Sequence, residues 1–263
     1  MNLSGFDQVF WAAGLAGHLA LLAVLWTRRR AAEFPAFTTL ISFYVARTIA
    51  LYLLLHLVHR NVQTDYFYAY WSGAMVDEIL QVIVFYELAR KVFCPTGIWA
   101  HDVRRAFVWM TGISAIVAAV LTCLASPAAP RLIQVVMLRS NFFTSALMGE
   151  LFVGMMALSV TVGLPWRTHV ARIAQGFGVF VVVCVLLFTA DNYFGLAQGS
   201  RLFAGLARVR ILAYVGSLGY WIVTLWQEAP APRELPDAML TQIYTLQRRV
   251  EYDLVRIRSW RRS

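Results

Sequence analysis

Apolar residues along this chain fall into seven blocks of about 20 or more, separated by short polar, basic or proline-bearing links. A helix of about 20 apolar residues spans the hydrocarbon of a bilayer. The blocks therefore predict helices over roughly 6–26, 35–58, 66–91, 106–125, 132–162, 172–193 and 206–227. Pro35 suits the first turn of the second helix, where its missing N–H would be unpaired anyway. Pro127 and Pro130 break the chain after the fourth block, and Gly163 with Pro165 after the fifth. The fifth block is longer than a span needs, which implies tilt or an interfacial first turn.

A different pattern follows the seventh block. Pro230, Pro232 and Pro236 form a stiff break, and Asp237 is a good N-cap for a last helix over 238–260. Met239, Ile243, Leu246, Val250 and Ile257 share one face, and Arg248, Arg249, Arg256, Arg258, Arg261 and Arg262 supply a basic side. Such a helix is expected to lie on the inner leaflet, with a short coiled coil (interrupted at Asp253) and disorder as alternatives.

Composition agrees with the pattern. The chain of 263 residues is 60% hydrophobic and 14% charged, with a mean hydropathy of +0.62. Soluble domains carry roughly 25% charged residues. The fold class expected is all-α: a polytopic seven-helix transmembrane domain over 1–227, then a cytoplasmic tail over 228–263. The net charge is +9. Its basic residues flank the apolar blocks, which suits the positive-inside rule and an acidic phospholipid surface rather than nucleic acid. The amino terminus lacks the basic region of a cleavable signal, so the first helix is expected to stay in place. With the amino end outside, inner loops hold Arg28, Arg29, Arg30, Arg90, Lys91, Arg104, Arg105, Arg167 and Arg172. Outer loops hold Arg60, Arg131, Arg139 and Arg201. This bias predicts amino end out, carboxyl end in, across a cell membrane.

Charges inside the apolar blocks are the candidate chemistry. Arg47 lies about 16 Å from the outer end of its helix at 1.5 Å per residue. Asp77 and Glu78 lie at a similar depth, and Glu150 near the middle of the fifth helix. Ions in hydrocarbon need partners, and the short link between the second and third helices makes an Arg47 pair with Asp77 or Glu78 easy. Asp77 and Glu78 point about 100° apart, so one faces the interior while the other faces a neighbouring helix. Tyr66, Tyr70, Gly73, Asp77 and Gln81 form a stripe expected to face inward. This layer reads either as a structural ion pair or as a ligand or proton site. One arginine cannot balance three acids without a proton or another cation. A second layer near the outer face holds Asp191, Arg208, Arg210 and Arg139, read as an anion site or as snorkelling charges. Glu87 and Lys91 are expected to pair along their helix.

Several chemistries are disfavoured. His18 and His56 differ in depth by about 15 Å, which does not suit a bis-histidine haem. No metal-ligand spacing is present, and Cys94, Cys123 and Cys184 are scattered, so neither metal nor cofactor is expected. Gly216-Ser217-Leu218-Gly219 is not a nucleophile elbow and reads as a small-residue helix contact. The only lysine, Lys91, sits in the third helix, which excludes a retinal Schiff base in the seventh.

Phe34-Pro35-Ala36-Phe37, Arg47 and the run Tyr66-Phe67-Tyr68-Ala69-Tyr70-Trp71 before the acids resemble a group of seven-helix bacterial membrane proteins. That resemblance implies a bacterial source and no particular activity. The residues themselves lead to a membrane sensor or ligand-binding protein. Its polar site would be drawn from Arg47, Tyr70, Asp77, Glu78, Glu150, Asp191, Arg208 and Arg210. A small molecule would bind in the helical cavity, and the tail over 237–263 would meet a cytoplasmic partner. A small proton-coupled transporter and a membrane scaffold are the alternatives; an enzyme ranks last.

Overall fold

Seven α-helices and no strand make up the residues described by the computed structural model, which are 5–57, 62–93, 101–125, 132–162, 169–193 and 201–228. They are α1 (Gly5–Thr27), α2 (Pro35–Leu57), α3 (Val62–Phe93), α4 (His101–Leu124), α5 (Leu132–Val162), α6 (His169–Tyr193) and α7 (Arg201–Trp226). The unit Ala229–Ser263, with the expected tail helix and its partner surface, lies outside the described residues. Among the described residues, α1, α2, α4, α6 and α7 are each long and apolar enough to cross a membrane. Helices α3, α4, α6 and α7 begin three to five residues before their apolar blocks. Hydropathy marks the stretch that faces hydrocarbon, whereas hydrogen-bonded helix continues through polar flanks such as Gln63, Thr64 and Asp65.

The helices form a ring. Helix α1 packs between α2 and α7, α2 packs on α3, and α6 packs between α5 and α7. Helix α3 closes the ring by reaching both α5 and α6. Helix α4 stands outside it, packed on α5 and touching α3 where Phe107 stacks on Phe85. Large apolar side chains of α4 (Trp109, Ile113, Ile116, Val120 and Leu124) point outward. An apolar exterior of this kind is what a lipid-facing helix presents.

Burial is uneven along the bundle. Leu21, Leu25, Phe34, Phe37, Leu40, Leu88, Met155, Ile173, Leu218, Trp221 and Leu225 are almost wholly buried. All belong to the half where α1, α3, α5 and α7 end and α2 and α6 begin, here called the carboxyl side. Phe37 meets Trp221 and Phe177 edge to face at 5.3 and 5.9 Å, a geometry the ring quadrupoles favour. On the opposite, amino side, no described residue before His18 in α1, after Ile41 in α2, before Val84 in α3 or before Ser217 in α7 is buried. Along α1, α2, α3 and α7 the bundle is closed at its carboxyl side and loosely filled at its amino side, whereas α5 keeps Phe142, Thr144 and Ala146 buried toward the amino side.

Three local devices set the closed side. Glu87 of α3 accepts the backbone N–H groups of Ala36 (3.3 Å) and Phe37 (3.1 Å), so it caps the amino end of α2. This corrects the expected pair with Lys91, whose ammonium instead sits 4.8 Å from the Phe34 ring. The free N–H groups and positive dipole end of α2 outcompete a flexible lysine. Helix α1 ends in a Schellman turn: Arg29 is left-handed at φ 55°, and its N–H reaches the Trp26 carbonyl. Arg30 N–H reaches the Leu25 carbonyl, and its side chain is turned into the bundle. The close helix approach lies at Gly176, where a Cβ would collide with the Trp221 indole. Ser217 donates to the Gly176 carbonyl across that contact at 3.2 Å. Gly216 and Gly219, expected to make it, have open space beside them.

The cap sets a clear expectation for stability. Glu87→Ala should lower unfolding free energy by about 1–2 kcal/mol, as losing a helix cap does. Lys91→Ala should lower it by less than about 1 kcal/mol, as for an exposed ion pair. Thermal unfolding of the purified protein in detergent measures both, and equal losses would restore the Glu87–Lys91 reading.

Candidate functional site

Where the buried half gives way to the loosely filled half, four helices bring polar groups together. Each sits near the middle of its helix: His18 in α1, Tyr44 and Arg47 in α2, Asp77 and Gln81 in α3, and Tyr214 in α7. Asp77 is the centre. Its Oδ1 accepts the Tyr44 hydroxyl at 2.6 Å and the Gln81 amide, one turn on, at 2.9 Å. Its Oδ2 lies 3.8 Å from the Arg47 guanidinium. The arginine also donates to the Tyr70 carbonyl at 3.1 Å and lies 5.2 Å from the Tyr70 ring. Gly73 makes room for it, since a Cβ there would stand 2.8 Å from Arg47 Nε. Arg47 and Asp77 keep 19% and 21% of their side-chain surface accessible.

The Tyr44 ring carries the layer to α1 and α7. It lies 5.2 Å from the His18 ring and 6.0 Å, edge on, from Tyr214. His18 Nε2 and the Tyr214 hydroxyl are hydrogen-bonded at 2.6 Å. His18 is buried, and its Nδ1 turns toward the Gly14 carbonyl without reaching hydrogen-bond geometry. Phe180 of α6 closes on Tyr214 at 5.2 Å. The result is two hydrogen-bonded sets, Tyr44–Asp77–Gln81 and His18–Tyr214, joined through ring contacts of Tyr44.

The expected residues divide into four groups. Arg47, Tyr70 and Asp77 come together, as the depth argument requires, and Tyr66, Gly73 and Gln81 lie along the same stripe. Glu78 points the other way, to α5, where it is hydrogen-bonded to Ser140 and Thr144. Glu150 does not join the pair. It lines an apolar groove of about 720 Å³ between α4, α5 and α6, with a hydrogen bond to Ser114. The described contacts of the second layer are to other groups. Arg139 reaches the Ala125 carbonyl at 3.4 Å, Arg210 lies 5.9 Å from the Phe188 ring, and Arg208 is exposed. The Asp191 side chain lies outside the described residues. No group of three or more metal-ligating side chains occurs among the described residues.

Sequence reasoning missed His18 and Tyr44. Each is a polar side chain midway along an otherwise apolar helix, and that signal was available. What it lacked was the ring order that puts α1 and α7 opposite α3. No protein-family model, curated protein or solved structure matches the chain.

The geometry makes a quantitative demand. A double-mutant cycle of Tyr44→Phe and Asp77→Asn should show a coupling of about 0.6–1.7 kcal/mol, the range for side-chain hydrogen bonds between membrane helices. The same cycle between Asp77→Asn and Glu150→Gln should be additive within about 0.5 kcal/mol, since the two acids occupy separate sites.

Proposed function

We propose that the chain is a seven-pass cell-membrane protein, amino end outside, that senses a small polar ligand at Arg47 and Asp77. The observation that carries this reading is the contrast in burial. The amino-side halves of α1, α2, α3 and α7 enclose no buried residue among those described, and the first buried layer beneath them carries His18. With the amino end outside, that half opens outward and the Arg47–Asp77 pair forms its floor. Tyr70 and Tyr66 stack above the floor at 6.3 Å between ring centroids. A guanidinium beside aromatic faces suits a ligand bearing a carboxylate and an apolar or cationic group. Ligand entry would compete for Arg47 and so alter the bond network that ties α3 to α2, and through Tyr44 to α1 and α7. The tail over 237–263 would carry the change to a cytoplasmic partner.

A second reading has its own support. Glu78 and Glu150 take hydroxyl partners, and no basic side chain stands within ion-pair distance of either among the described residues. Acids held this way favour a small proton-coupled carrier.

The two readings separate in a screen of small carboxylates and zwitterions. A sensing ligand should raise the apparent Tm of the wild type and of Glu150→Gln, and leave Arg47→Ala and Asp77→Asn unmoved. A ligand that stabilises all four equally refutes the site. Proton-dependent uptake into vesicles that vanishes in Glu150→Gln would establish the carrier instead.

A further inference from the structure

At the closed, carboxyl side lies a cluster that the polar layer does not use. Arg30 follows the Schellman turn of α1, while His169 and Arg172 open α6. The last turn of α7 receives both arginines: Arg30 donates to the Gln227 carbonyl at 2.9 Å and Arg172 to the Thr224 carbonyl at 2.8 Å. Thr224 and Gln227 are one turn apart, so the two guanidinium groups are held near one another. His169 is close enough to feel both charges.

These groups are buried yet incompletely satisfied. Arg30 is 9% exposed and His169 5%. Arg30 Nε and one Nη have no hydrogen-bond partner, and neither does either ring nitrogen of His169. Buried donors of this kind are normally paired, and a cation with free N–H groups attracts an anion. Burial lowers the pKa of Arg30, and Arg28 and Arg172 lower it further, against the opposing pull of Glu33 and Glu228. Arg28 stays exposed at the rim, its guanidinium 4.6 Å from the Trp226 ring. The surroundings therefore place three cationic or ionisable groups around unfilled donors, between three transmembrane helices.

We infer that Arg30, His169 and Arg172 form a binding site for a phosphate-type oxyanion at the cytoplasmic side of the bundle. A phosphate oxygen would accept from the free Arg30 donors and from a His169 ring nitrogen, while Arg172 adds charge. A basic recess between membrane helices at this side takes anionic phospholipid headgroups, and free phosphate offers the same chemistry.

The test uses the full-length protein in a sugar-headgroup detergent, which holds no phosphate. Thermal unfolding is followed with added phosphatidylglycerol, with inorganic phosphate, and with chloride at matched ionic strength. Stabilisation by phosphatidylglycerol alone identifies the lipid headgroup; stabilisation by inorganic phosphate as well identifies the free ion. In either case Arg30→Gln and His169→Phe should each raise the half-saturating concentration roughly tenfold, as loss of one charge-assisted hydrogen bond does. Without added anion, Arg30→Gln should lose little stability, because the lost bond to the Gln227 carbonyl is offset by removing a buried charge that has no acid within ion-pair distance among the described residues. The inference is overturned if neither anion stabilises more than chloride, or if both variants respond as wild type does. It is also overturned if Arg30→Gln loses the same stability with and without anion, which would mark Arg30 as a structural clasp for α7. Should Arg30→Gln fail to fold, the response of His169→Phe decides alone.

Discussion

The hydrogen bond from the Tyr44 hydroxyl to the Asp77 carboxylate joins the two halves of this bundle. A largely buried carboxyl group needs hydrogen-bond partners, and here protein side chains supply them. Asp77 finds them on α2 and on its own helix, and the same Tyr44 ring meets His18 of α1 and Tyr214 of α7. One satisfied acid thereby sets the mutual rotation of α1, α2, α3 and α7. Beneath that layer Phe37, Phe177 and Trp221 pack together, with the Trp221 indole N–H donating to the Ile173 carbonyl at 3.2 Å. Above it the same helices bury no described residue, and Trp11 of α1 stacks on Tyr52 of α2 at 5.3 Å.

That asymmetry links packing to function. A bundle closed at both ends would hold Arg47 and Asp77 as a static strut, whatever their chemistry. Here the strut lies at the bottom of the loosely filled half, still partly accessible, with Tyr70 beside the guanidinium. Under the proposed sensing role, ligand entry and helix rotation would draw on the same few hydrogen bonds, which is the requirement for coupling a site to a global state. The anion cluster at Arg30, His169 and Arg172 occupies the far end of α1 and α7. It bears on the anchoring of those helices, not on the sensing layer.

Parts of this were legible in the sequence because they depend on depth alone. Arg47 and Asp77 are at matched depth on consecutive helices, and the rule that buried ions must pair joins them without any knowledge of the ring. Glu150 is at the same depth, but α4 stands outside the ring and draws Glu150 into a groove beside Ser114; helix order around a ring leaves no mark in hydropathy. Glu87 was misread for a related reason. Its i+4 neighbour Lys91 is visible in the sequence, whereas its real partners are backbone N–H groups 50 and 51 residues earlier. Arg30 looked like one more inner-loop charge. Only the left-handed backbone at Arg29, unusual for a residue other than glycine, turns it inward. The glycine contact moved from Gly216 and Gly219 to Gly176, because small residues permit close approach without saying which neighbour makes it.

The most direct measurement of the central claim is a cysteine scan down α3 in a background lacking Cys94, Cys123 and Cys184. Single cysteines at 66, 70, 73, 77, 81, 84 and 88 are exposed to a membrane-impermeant maleimide added outside intact cells. The account expects labelling from 66 down to the level of 77, and none at 84 or 88. Labelling confined to the first turn, or labelling that enters from the cytoplasmic side instead, would contradict an outward opening floored by Asp77.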